Sequence, residues 1–114
     1  MLDFASNLLQ KEEVISHYLK QLPESYQRDL DHAMKILREG GCSHIFLFGS
    51  LAQGQIHAAS DIDLAIRGCP KGRFFYLYGQ LLRRLHHSVD LVNLDSLDPF
   101  GGYLAKTGGL YQLV

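Results

Sequence analysis

The stretch Phe46-Leu47-Phe48-Gly49-Ser50-Leu51-Ala52-Gln53-Gly54-Gln55-Ile56-His57-Ala58-Ala59-Ser60-Asp61-Ile62-Asp63-Leu64 decides how this chain is read. Its first residues end the apolar run from His44 to Phe48, which is bounded by glycines and reads as a strand covered on both faces. Its last residues open a second strand, in which Asp61, Asp63, Ala65 and Arg67 alternate with a buried face of Ile62, Leu64 and Ile66. Side chains two apart on a strand point the same way, roughly 7 Å apart, so Asp61 and Asp63 can bracket divalent ions. Two such ions about 4 Å apart serve phosphoryl transfer by orienting the nucleophile and screening the leaving group. Magnesium suits an all-oxygen site of this kind, because it keeps waters and substrate phosphates in its shell. At the other end of the stretch, Gly49 lets backbone approach a phosphate, and Ser50 offers a hydroxyl and an amide where a short helix begins.

Working outward, a third carboxylate stands in the apolar run Val89-Asp90-Leu91-Val92-Asn93, which reads as a third strand. An unpaired charge is costly to bury there, so Asp90 is expected to find its partner in metal. Beside the second strand, it would ligate the catalytic ion and take the proton of an attacking hydroxyl. Between these strands Phe74, Leu77, Tyr78, Leu81, Leu82 and Leu85 form a helical stripe, after a turn at Pro70-Lys71-Gly72.

Upstream lie two helices, one marked by Ile15, Tyr18, Leu19 and Leu22 and ending near Pro23. The other is marked by Leu30, Ala33, Met34 and Leu37, with Ser25 as N-cap and a stop at Gly40-Gly41. Downstream, Asp98-Pro99 opens a short helix ending near Gly108, and Leu110 to Val114 reads as an edge strand or docked tail. The fold class is therefore α/β (α+β): a small mixed sheet of three to five strands flanked by helices. One domain is expected over residues 1–114, with N-terminal helices over 1–40 and a catalytic core over 43–114.

The charge balance, eleven basic residues against twelve acidic, gives a net charge of -1 and no global field for nucleic acid. No apolar run approaches the roughly 18 residues of a membrane span, and the first residues lack a signal-peptide pattern, so a cytoplasmic protein is expected. Cys42 and Cys69 fit neither a disulfide framework nor a zinc site and are read as reduced thiols. A calcium-binding EF-hand loop is excluded by Ala65 and Ile66. None of the six histidines has helix-spaced metal geometry. Arg83, Arg84, His86 and His87 form a basic cluster at a helix end, read as a solvated face or as a docking patch for an acidic partner or RNA. Tyr76 and Tyr78 are read as core or partner contacts.

Gly49-Ser50 followed by Ser60-Asp61-Ile62-Asp63, with Asp90 on a later strand, resembles the signature of the DNA polymerase beta-like nucleotidyltransferase superfamily. The short chain and spacer are similar to minimal nucleotidyltransferases, often antitoxins paired with HEPN-domain ribonuclease toxins. The resemblance covers about residues 45–111. It implies Asp61, Asp63 and Asp90 as catalytic and metal-binding residues, and Gly49, Ser50 and Ser60 as nucleotide-binding ones. It also implies two magnesium ions and transfer of AMP from ATP to a tyrosine of the partner toxin. Gln53 stands where the family often has arginine, removing one charge contact to phosphate. Gly101 and Gly102 weaken the last helix by roughly 1 kcal/mol each.

Two other functions remain open. One is a non-catalytic module that masks its partner. The other is a small-molecule transferase of the aminoglycoside type, whose acceptor pocket would need a homo-oligomer. Nucleic acid enters only as an alternative acceptor. The N-terminal helical pair is expected to serve as a partner or self-association surface.

Overall fold

The computed structural model describes residues 18–54, 59–96, 103 and 109–114. Its first complete element is α1 (Glu24–Glu39), preceded by helical residues 18–20. Tyr26, Asp29, Leu30, Ala33, Ile36 and Leu37 are its buried residues, a spacing of three and four that puts one stripe against the core. The helix stops where expected. Gly41 takes φ 95°, and the amides of Gly41 and Cys42 return to the carbonyls of Arg38 and Leu37 at 3.0 Å each. Its start differs from expectation: Pro23 holds the N-cap position, and Ser25 lies inside the helix with its hydroxyl 2.8 Å from His87 Nε2. A long-range partner has taken the hydroxyl that capping would have used.

Four strands follow, β1 (His44–Phe48), β2 (Ile62–Arg67), β3 (Val89–Asn93) and β4 (Tyr111–Gln112). They form one mixed sheet in the order β3-β2-β1-β4. β1 is antiparallel to both β2 and β4, and β2 is parallel to β3. A parallel pair needs a crossover, and α3 (Phe74–Arg84) supplies it after the short α2 (Gly49–Ala52) has turned the chain off β1. The terminal segment is the expected edge strand, with Leu113 and Val114 packed against the core.

The main core lies between the helices and one sheet face. It joins Leu30, Leu37, Ile45, Leu47, Leu51, Ile62, Leu64, Ile66, Leu77, Leu81 and Leu91. On the opposite face Phe48 and Ala65 form a smaller cluster with Phe46, Val92, Leu94 and Leu110. Leu82, placed on the buried stripe by its spacing, is 60% exposed, because α3 turns Phe74, Leu77, Tyr78 and Leu81 toward the core, followed by Leu85 at its end. Apart from Tyr103, which is helical, the helix expected from Asp98 to Gly108 lies outside the described residues, as does most of the first helix.

Cys42 and Cys69 are joined by a disulfide, S–S 2.03 Å, which corrects their reading as free thiols. The cause is register: His44 pairs with Arg67, so continuing the antiparallel ladder by two residues sets Cys42 opposite Cys69.

Candidate active site

The side-chain alternation of β2 sends Ile62, Leu64 and Ile66 into the main core, which leaves Asp63 on the other face. Asp61, one step before β2, is exposed. In the parallel register of β2 and β3, Asp63 pairs with Asp90 and Ile62 with Val89. The two strands therefore set two carboxylates side by side, as the sequence reading required of adjacent strands.

Phe48 pairs with Asp63 across β1, so the glycine that follows β1 also reaches the site. Gly49 has φ +75°, and a Cβ there would collide with the Asp63 carboxylate. Both facts demand glycine, one through backbone conformation and one through space. From Gly49 the chain enters α2, with Ser50 half-buried and Gln53 exposed. Ser60 is buried and its carbonyl accepts a 2.7 Å hydrogen bond from the Tyr26 hydroxyl, which ties α1 to the residue preceding Asp61.

The electrostatics follow from this crowding. Burial first, then the negative charges of Asp90 and Asp61, push the Asp63 carboxyl up to about 6. Among the described residues none of the three aspartates takes part in an ion pair. The donor set is thus all oxygen and its negative charge is uncompensated, which fits a hard divalent cation such as magnesium. The carboxylates do not form a closed cage as they stand: among the described residues no three His, Cys, Asp or Glu side chains are gathered to hold an ion.

Asp90 departs from expectation in one respect. It is exposed, and its partner is the Tyr78 hydroxyl, which donates to Oδ1 at 2.9 Å and lies 3.2 Å from the Val89 carbonyl. An alternating strand turned the charge outward, so the burial cost that pointed to metal does not arise. Tyr78 itself is half-buried, and burial, then the hydrogen bond and charge of Asp90, raise its phenol above the ordinary value. It remains a proton donor to the carboxylate at neutral pH.

Tyr26 and Tyr78 are thus site neighbours that the sequence reading did not assign. Asp29 is a third missed residue, only 1% exposed, and its carboxylate accepts from the amides of His86 and His87 at 3.0 and 2.7 Å. The Tyr26 ring stacks on His87 with centroids 3.7 Å apart. Together these contacts anchor the turn that leads from α3 into β3 and so locate Asp90. Helical spacing marked Tyr78, but its aim at Asp90 depends on how α3 lies against β3. Lys71 and Arg73 are exposed, with the Arg73 guanidinium 4.6 Å from the centroid of the Tyr76 ring.

Comparison with known proteins gives the same picture. The family described as polymerase beta, nucleotidyltransferase matches residues 27–108. Curated proteins gave no match. Among solved structures, a toxin-antitoxin with AMP-PNP is 30% identical, with a TM-score of 0.60 over 74% of this chain and 71% of that one. Two variants of the toxin-antitoxin MntA-HpeT are also similar. One has two aspartates, two positions apart, replaced by glutamate, at 27% identity and a TM-score of 0.58 over 74% and 70% of the chains. The other has a tyrosine replaced by alanine, at 30% identity and a TM-score of 0.59 over 82% and 73%.

Proposed function

Because the chain belongs to the polymerase beta nucleotidyltransferase family, we propose that it moves AMP from ATP to a tyrosine hydroxyl of a HEPN-type ribonuclease toxin and acts as that toxin's antitoxin. The observation that carries the reading is the convergence of Gly49, Asp63 and Asp90, with Asp63 opposite Asp90 and the Gly49 backbone against the Asp63 carboxylate. The solved relatives support the partner class, since they are toxin-antitoxin complexes and one carries AMP-PNP. The spacing of the two aspartates altered in one of them is also that of Asp61 and Asp63.

In this reading the turn at Gly49 and Ser50, with Ser60, binds the triphosphate through close backbone approach and hydroxyl donors. Asp61, Asp63 and Asp90 would hold two magnesium ions, whose chemistry there would be to screen the phosphate charge and lower the barrier at the α-phosphorus. The acceptor oxygen bonds to that phosphorus as the bond to pyrophosphate breaks. Asp90, exposed at the edge of the sheet, accepts the hydroxyl proton. Tyr78 orients Asp90 through its 2.9 Å hydrogen bond to Oδ1. The chain acts as one domain.

A test is to incubate the chain and its toxin with magnesium and ATP and to measure intact masses. Addition of AMP to the toxin is expected, and Asp61→Asn or Asp63→Asn should slow it at least about 100-fold, the scale of losing groups that act on the transition state. An unchanged rate in both variants would sink the proposal. Masking of the toxin without chemistry is the second reading, since the solved relatives are toxin-antitoxin complexes. Full neutralisation of the toxin by the Asp61→Asn/Asp63→Asn protein would select it.

A further inference from the structure

The outer side of α3 is apolar where a solvated helix would be polar. Phe75 is 84% exposed, Leu82 60% and Tyr76 52%, while Leu77 and Leu81 fill the core on the opposite side. Phe75 and Leu82 stand two turns apart on one line of the helix, and Gly79 lies between them. A Cβ at Gly79 would meet nothing closer than Arg83 Nη1 at 3.9 Å, so alanine fits there and would favour the helix. Glycine gives the free chain no advantage at this site. It leaves a notch between two apolar ridges, where the ridge of another helix can enter.

Charge marks what enters. Residues 71–89 contain four lysines and arginines and no aspartate or glutamate, in a chain whose net charge is -1. Arg83 and Arg84 at the end of α3 agree with the helix dipole, but Arg73 at its start opposes it, and the first turn holds no acid. Among the described residues Arg73, Arg83 and Arg84 form no ion pair. Cations thus flank the apolar line at both ends without compensation from the chain itself.

We infer that this face of α3 docks a helix of the partner protein whose apolar stripe is flanked by aspartate and glutamate. The inference rests on the transferase reading only for its consequence. Tyr78, at the margin of this face, hydrogen-bonds Asp90 on the outer strand β3, so a helix seated on α3 lies beside the acid proposed to receive the acceptor's proton. A second copy of the chain would bring the same cations against themselves. RNA or an anionic bilayer would engage the cations but has no use for the notch at Gly79.

The experiment measures binding of the full chain, without nucleotide, to a synthetic amphipathic helix carrying leucines at helical spacing and glutamates on both flanks. Its outcome is therefore separate from that of the AMP-transfer assay. Fluorescence anisotropy should show salt-sensitive binding, weakened about tenfold or more by Phe75→Ser/Leu82→Ser and by Gly79→Gln. Gly79→Ala should raise the melting temperature, and Arg73→Glu/Arg83→Glu should transfer the preference to a lysine-flanked helix. The inference is overturned by absent binding, by equal binding of both peptides, or by variants that bind as wild type does. It is equally overturned if a hairpin RNA or phosphatidylserine vesicles bind through these residues in place of the peptide, or if the variants abolish a dimer seen in sedimentation.

Discussion

Burial and two neighbouring acids hold the Asp63 carboxyl at about 6, against 3.8 for a free side chain, and a stability effect follows with a definite sign. Between those values the folded chain keeps a proton that the unfolded chain has released. Stability from this group is fully present below pH 3.8, falls as pH rises, and is lost above about 6. Asp63→Asn, which cannot ionise, should therefore gain on the wild type as pH climbs from about 4 to 7 in metal-free buffer. Magnesium should close that gap near neutrality by stabilising the wild type alone. Melting curves across this range check it, and a gap that stays constant with pH contradicts it. At this scale the spacing of Asp61, Asp63 and Asp90 was readable in the chain, since alternation in a strand sets which way each side chain turns. The Tyr78 hydrogen bond was not, because it depends on how α3 lies against β3.

Elements locate those residues, and the turn between α3 and β3 is held from outside by α1. Asp29 accepts amide hydrogens from both His86 and His87 while almost fully buried. Asp29→Ala would leave two amides without acceptors, so a loss of about 2–4 kcal/mol in unfolding free energy is expected. Chemical denaturation measures it; a loss under about 0.5 kcal/mol, the size of an ordinary surface substitution, would show that the anchor is not needed. Periodicity foretold α1, α3, β1, β2 and β3 well, because each buries one face and a buried face leaves a period. It failed at Ser25 and Leu82 for a shared reason. A hydroxyl drawn to His87 and a leucine left in solvent both reflect neighbours that a local pattern does not contain.

Across the whole molecule the disulfide between Cys42 and Cys69 links the exit of α1 to the exit of β2. Closing a loop over a sequence separation of 27 should stabilise the fold by about 3.5 kcal/mol relative to the reduced chain, through lost freedom of the unfolded state. Dithiothreitol should lower the melting temperature accordingly, and Cys42→Ser should lower it equally and abolish the effect of the reductant. An unchanged melting temperature on reduction would contradict this. The sheet order, the β2–β3 pairing and the bond between two lone cysteines all rest on register, which composition and spacing do not encode. The family fold was legible because its signature joins one turn and two strands.

That bond also makes residues 42–69 a covalent ring, with the glycine-serine turn and the Asp61-Asp63 pair inside it and Asp90 outside. A protease that cuts once within the ring releases no fragment. The nicked chain should migrate as a single band on a gel run without thiol and separate into two only after reduction.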